Sequence, residues 1–195
     1  MSLSIKRIAI TAVGLVMLYA VSVPSLQGQT GTKVPPAQTL IDRALKAARA
    51  QNKTVFVHFG ASWCTWCKQL DAMLQSHEVG KLIADHFVLV NLTVQESDNK
   101  KSTENPGAEK LMTDTGGGKT GVSYYLFLNK DGVKTGNSMV MPKDANIGYP
   151  ATPDEIKTFG ELMARVAPRM TGAERSRIID YLTKHAPKDS VTSAH

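Results

Sequence analysis

The chain has 195 residues, 42% of them hydrophobic and 21% charged, enough for one domain with a sizeable core plus short appendages. Its formal net charge is +6, but the basic residues form no blocks and no nucleic-acid-binding motif occurs, which argues against a nucleic-acid partner. Its 2 cysteines leave no second pair for a four-cysteine metal site.

Lys6 and Arg7 precede an apolar run from Ile8 to Val23, and small residues follow at Ser25 and Gly28. This is the pattern of an export signal over residues 1–28. The run of about 16 residues is short of the roughly 20 that span a bilayer, so cleavage is the first reading and an uncleaved membrane anchor the second. No cysteine lies near it, which excludes lipidation there. Its removal leaves 21 basic against 17 acidic side chains, a net +4. Export agrees with the cysteine usage, since stray thiols are oxidised outside the cytosol and this chain has none beyond one pair. Residues 29–38, polar with Gly31, Pro35 and Pro36, are expected to be a disordered linker.

The following segment carries Leu40, Ile41, Ala44, Leu45 and Ala48 at helical spacing, which predicts an amphipathic helix over Ala37–Gln51. Thr54–Phe59 is almost continuously apolar, as expected of a central strand covered on both faces. A helix over Cys64–Gln75, a shorter one over His77–Asp85 and a strand over Phe87–Val94 follow. Gln95–Gly107 is expected as a polar surface loop, Ala108–Thr113 as a short helix and Gly116–Gly118 as a mobile hinge. Tyr124–Leu128 is a strand turned by Asn129-Lys130-Asp131-Gly132 into a partner near Val133–Met141. Thr152-Pro153-Asp154-Glu155 is a capping box that opens a helix to Val166, and Thr171-Gly172-Ala173-Glu174 starts another.

The chemistry concentrates in Trp63-Cys64-Thr65-Trp66-Cys67-Lys68, at the junction between the first strand and its helix. A cysteine at the first turn of a helix meets unpaired N–H groups and the positive end of the dipole, which favour thiolate over thiol. Only the thiolate attacks a disulfide, so Cys64 is the expected nucleophile and Cys67, one turn on, the resolving thiol. Spacing alone also fits half of a zinc site. The histidines, His58, His77, His86, His185 and His195, supply no paired spacing to complete one.

The run Val55-Phe56-Val57-His58-Phe59-Gly60-Ala61-Ser62-Trp63-Cys64-Thr65-Trp66-Cys67-Lys68 resembles the active-site strand and helix of the thioredoxin superfamily. Within it, the exported members and the carboxy-terminal domain of the disulfide reductase DsbD are similar. The resemblance runs from Thr39 to Ala167 and is sharpest from Val55 to Leu74. It implies an α/β thioredoxin fold, a central mixed β-sheet flanked by helices, over 39–168, with residues 169–195 as an extra C-terminal helix and tail. It also implies a monomeric protein-disulfide oxidoreductase needing no cofactor and no metal. Its partners would be disulfide- or thiol-containing client proteins and a membrane redox partner, in a periplasmic or other extracytoplasmic setting.

Two positions depart from the family pattern. Where relatives carry a buried carboxylate six residues before the first cysteine, this chain has His58. A neutral imidazole there can take the proton of Cys67 without the like-charge repulsion of a carboxylate; a hydrogen-bonded core histidine is the other reading. Where relatives carry a cis-proline facing the cysteines, the alignment places Ser123, preceded by Val122. A non-proline cis bond costs roughly 2.5–4 kcal/mol, so the Val122–Ser123 bond is either trans or strained. Trp63, Trp66, Val122 and Ser123 are the expected client contacts. A thioredoxin-fold copper or zinc chaperone using Cys64, Cys67 and His58 or His77, or a non-catalytic adaptor, stands as the alternative function.

Overall fold

The computed structural model describes residues 33–142 and 145–187, so the expected signal and the last residues of the tail lie outside the described residues. Strand β1 (Thr54–Gly60) is buried from Val55 through Phe59, which requires cover on both faces. It pairs in parallel with β2 (Phe87–Thr93) and antiparallel with β3 (Tyr124–Leu128), which pairs antiparallel with β4 (Lys134–Asn137). The order of this mixed sheet is β2-β1-β3-β4. The parallel β1–β2 pair needs a crossover, supplied by α2 (Thr65–Leu74) and α3 (Gly80–His86).

Alternation along β1 divides the core. Val55, Val57 and Phe59 pack with Ile41, Ala44 and Ala48 of α1 (Ala37–Gln51) and Met112 of α4 (Ala108–Asp114). Phe56 packs on the other face with Leu70 and Met73 of α2, Tyr125 and Phe127 of β3, and Phe159 and Leu162 of α5 (Pro153–Val166). Both expected capping boxes form, at Thr152 with Glu155 and at Thr171 with Glu174. Helices on both sides of a four-stranded mixed sheet in this order make the expected thioredoxin fold.

Four differences from the sequence reading have physical causes. The linker placed at 29–38 ends sooner, because the Pro35 carbonyl accepts from Asn105 Nδ2 at 2.9 Å, the Pro106 carbonyl accepts from the Ala37 N–H at 2.9 Å, and α1 has already begun. The polar stretch 95–107 contains a 3-10 turn, Asp98–Thr103, and buries Glu96 and Asn105. At the expected hinge, a Cβ on Gly117 would stand 2.6 Å from the Tyr124 ring, so the residue permits close packing. The final helix, α6 (Gly172–His185), is no appendage. Ile178 and Leu182 are buried in the same cluster as Phe159, and a Cβ on Gly160 of α5 would touch Ile179 at 2.8 Å. A short ribbon of β5 (Met139–Met141) and β6 (Ala145–Asn146) stands apart from the main sheet.

Because Leu182 is fully buried, Leu182→Ala is expected to lower unfolding free energy by about 2–5 kcal/mol in urea titrations. A loss near zero would return α6 to the status of an appendage. At the start of the same helix, the Thr171 N–H and hydroxyl and then His86 hold the Glu174 carboxyl down to about 2. The stability this contributes is complete above about pH 4.5, the ordinary value of an unfolded glutamate, and is lost as pH falls toward 2. Melting curves of wild type and Glu174→Gln should therefore differ at pH 7 and converge near pH 2.

Candidate functional site

At the end of β1 the chain leaves the sheet through Gly60 and Ala61 and re-enters regular structure at Cys64, the N-cap of α2. Cys64 has extended φ and ψ of −78° and 111°, and its Sγ accepts a hydrogen bond from the Cys67 N–H at 3.0 Å. The side chain thus does what Ser or Asp does at other helix starts. Cys64 and Cys67 form a disulfide across a Cα–Cα separation of 5.3 Å. Both are buried, 4% and 3% exposed, in a cluster with Ala61 against which Val122 packs. On reduction, the same N–H and the helix N-terminus face the Cys64 sulfur, and both favour its anion.

The preceding loop is clamped. Glu96, buried just past the end of β2, accepts from Ser62 N–H at 2.6 Å and Ser62 Oγ at 2.8 Å. The Ser62 N–H, followed by its hydroxyl and the Lys100 and Lys101 charges, holds the Glu96 carboxyl below the usual carboxylate range. Lys100 Nζ donates to the same Ser62 hydroxyl at 3.0 Å. Trp63 Nε1 donates to the Gln95 carbonyl at 2.8 Å. Glu96 and Lys100 were not among the residues expected from sequence; a polar stretch with no periodicity carries no signal that one carboxylate folds inward.

The expected client residues divide. Trp63 and Trp66 are 56% and 46% exposed, as contact residues need to be. Trp66 also stacks on Tyr149, with ring centroids 6.2 Å apart and planes at 18°. Beside them runs a cleft of about 350 Å³ lined by Trp66, Val122, Ser123, Ile147 and Tyr149. The peptide bonds among the described residues are trans, Val122–Ser123 included. Ser123 instead turns the chain with a left-handed φ of 68°, a strain of roughly 1–2 kcal/mol for a residue with a Cβ. Its N–H donates to the Phe59 carbonyl at 3.0 Å, and its buried Oγ has no hydrogen-bond partner among the described residues. The nearby loop backbone comes close enough that a Cβ on Gly148 would stand 3.4 Å from that Oγ.

His58 does not line this cleft. It is 2% exposed, and its Nδ1 is 3.1 Å from Asp71 Oδ1. A second cleft, of about 300 Å³, is lined by His58, Gly60, Cys67, Lys68, Asp71, Asn91 and Glu96. His58 and Cys67 therefore share one polar space, and the cleft beside Trp66 shares no lining residue with it. Among the described residues, no group of three His, Cys, Asp or Glu side chains has metal-holding geometry.

Residues 37–129 match the family described as thioredoxin-like. A curated relative, human spermatogenesis-associated protein 20, is 35% identical over 54 residues, which are 27% of this chain and 7% of that protein, so the chain spans a small fraction of its relative's length. Among solved structures, a disulphide isomerase from Xylella fastidiosa Temecula1 is 23% identical, with 85% of this chain and 98% of that one covered at a TM-score of 0.45. The oxidised DsbD C-terminal domain of Neisseria meningitidis is 19% identical, with 53% of this chain and 82% of that one covered, at 0.38. A thioredoxin from Thermus thermophilus is 17% identical, covering 71% and 92%, at 0.42.

With a helix N-terminus and the Cys67 N–H stabilising the anion, reduced Cys64 should be alkylated by iodoacetamide at pH 7 about tenfold faster than free cysteine. Mass mapping of the labelled peptide, with Cys67→Ser to isolate Cys64, measures this. A rate equal to that of the free amino acid would show that the helix start does nothing for the sulfur.

Proposed function

We propose that the protein is an exported thiol–disulfide oxidoreductase acting on client proteins. The observation that carries this reading is the Cys64–Cys67 disulfide at the N-cap of α2, with Cys64 Sγ already accepting a backbone hydrogen bond. In the reducing direction, the Cys64 thiolate attacks a client disulfide and displaces one client sulfur. Cys67 then attacks Cys64 Sγ, releases the second client sulfur and restores the internal disulfide. The electrons reside in the sulfurs, so this exchange needs no organic cofactor or metal.

Clients bind along the Trp66–Tyr149 cleft, where exposed Trp63 and Trp66 offer apolar surface and Val122 lies against the cysteines. His58, in the cleft of Cys67, serves as the base for the resolving thiol. Export rests on Lys6, Arg7 and the apolar run after them. Among the described residues no helix is long and apolar enough to cross a membrane. A membrane redox partner resets the cysteine pair between turnovers, and the protein acts as a monomer.

Insulin reduction with dithiothreitol as electron source tests the reading. Wild type should accelerate precipitation and Cys64→Ser should abolish the effect. Cys67→Ser should accumulate a mixed disulfide visible on non-reducing gels. Absence of both acceleration and mixed disulfide would overturn it.

A further inference from the structure

Three side chains from three elements meet behind the cysteines. Asp71 of α2, whose side chain is 35% exposed, places Oδ1 3.1 Å from His58 Nδ1, and Asn91 Nδ2 donates to the same oxygen at 3.3 Å. Register explains the meeting: His58 on β1 is paired with Asn91 on β2, so both project from the same face of the sheet, toward α2. A carboxylate can only accept, so the proton of the His58–Asp71 hydrogen bond is on Nδ1. In a neutral imidazole that leaves Nε2 with its lone pair free. Nε2 is buried and has no hydrogen-bond partner among the described residues, an arrangement that needs a reason in a protein interior.

The position of Cys67 supplies one. A Cβ on Gly60 would stand 3.3 Å from His58 Cε1 and 3.4 Å from Cys67 Sγ, so ring and sulfur flank the same bare stretch of backbone. Both also line the 300 Å³ polar cleft, which is roomy enough for water to bridge them. We propose that Asp71 is a positioning residue: it fixes His58 as the Nδ1–H tautomer, so that Nε2 faces the cleft as the acceptor for the Cys67 proton. This rests on the exchange reading above and adds a residue to it.

The step balances as follows. The Cys67 thiol gives its proton to Nε2, directly or through one water, and His58 becomes an imidazolium paired with the Asp71 carboxylate. The Cys67 thiolate attacks Cys64 Sγ, and the bond between Cys64 and the client sulfur breaks. The client sulfur leaves with the electron pair and takes a proton from solvent, and His58 gives its own proton up to water in its cleft and returns to neutral. The client has gained two electrons and the cysteine pair has lost two. Other titratable groups facing His58 are Lys68 and Cys67 from α2, Glu96 from the segment after β2, and Tyr125 from β3. Burial pushes the Tyr125 hydroxyl far up, so it stays neutral and adds no charge.

Two measurements on the full chain test this. Nitrogen-15 NMR of histidine-labelled, reduced protein above neutral pH should show His58 protonated on Nδ1 and bare on Nε2, and Asp71→Asn should disturb that signature. In rapid-mixing assays, Asp71→Asn should slow release of client from the mixed disulfide about ten- to hundredfold, far more than it slows the first attack. It should also alter the pH dependence of release, and Asp71→Glu should recover most of the rate. An Nε2–H tautomer in wild type, or an unchanged release rate and pH profile in Asp71→Asn, overturns the proposal. If instead no mixed disulfide forms in any variant, the exchange reading fails, while the NMR signature still judges the role of Asp71.

Discussion

An N–H 3.0 Å from a sulfur is the contact around which this fold is arranged. It exists because Cys64, in place of a hydroxyl or carboxylate residue, occupies the N-cap of α2, where the first backbone donors have no helical acceptors. Holding a cysteine there requires the preceding strand to stop at one definite place. That strand is buried from Val55 through Phe59 and tied by register to β2 on one side and β3 on the other, so the chain has little freedom in where it leaves. The hydrophobic core therefore acts on the chemistry indirectly. It fixes the end of β1, and the end of β1 fixes the sulfur.

The surroundings of the sulfur differ from one flank to the other. One side is apolar, with Val122 against the cysteines and Trp66 stacked on Tyr149 from the loop after the β5–β6 ribbon. The other is polar, with Glu96 clamping Ser62 and with His58, Asp71 and Asn91 behind Cys67. Such a division suits a reaction in which a polypeptide must approach the first cysteine while a proton leaves the second. An apolar client face gains from excluding water, whereas a proton path needs it. Keeping the two on separate sides lets each have the environment it requires.

How much of this could be read from sequence depended on the range of the interaction. Near-continuous apolar residues from Val55 to Phe59 announced a central strand, and each capping box spelled its own helix start, since these signals lie within a few residues. The cysteine pair and its neighbouring tryptophans were legible for the same reason. Glu96, by contrast, acts on a residue 34 positions away and Asn105 on one 70 away, so neither stands out in a polar stretch. Helix α6 looked detachable because its narrow apolar stripe means little until Phe159 of α5 is seen against Ile178 and Leu182. Ser123 was placed by alignment to a cis-proline, yet the chain makes its bend there with a trans bond and a positive φ.

The histidine at position 58 becomes intelligible once Asp71 is placed beside it. A carboxylate buried next to a resolving thiol can accept its proton, but whenever both are ionised they repel. Two unit charges 4 Å apart repel by roughly 4 kcal/mol at an effective dielectric of 20, and doubling the distance halves that. This chain sets an imidazole in the buried position and places the carboxylate on a side chain that is 35% exposed, where water screens it. In the proposed relay the base carries no charge while the thiolate forms, and once protonated it is cationic, attractive to the thiolate and balanced by Asp71. Proton acceptance and thiolate stabilisation, which oppose each other when one buried carboxylate serves both, act in the same direction here.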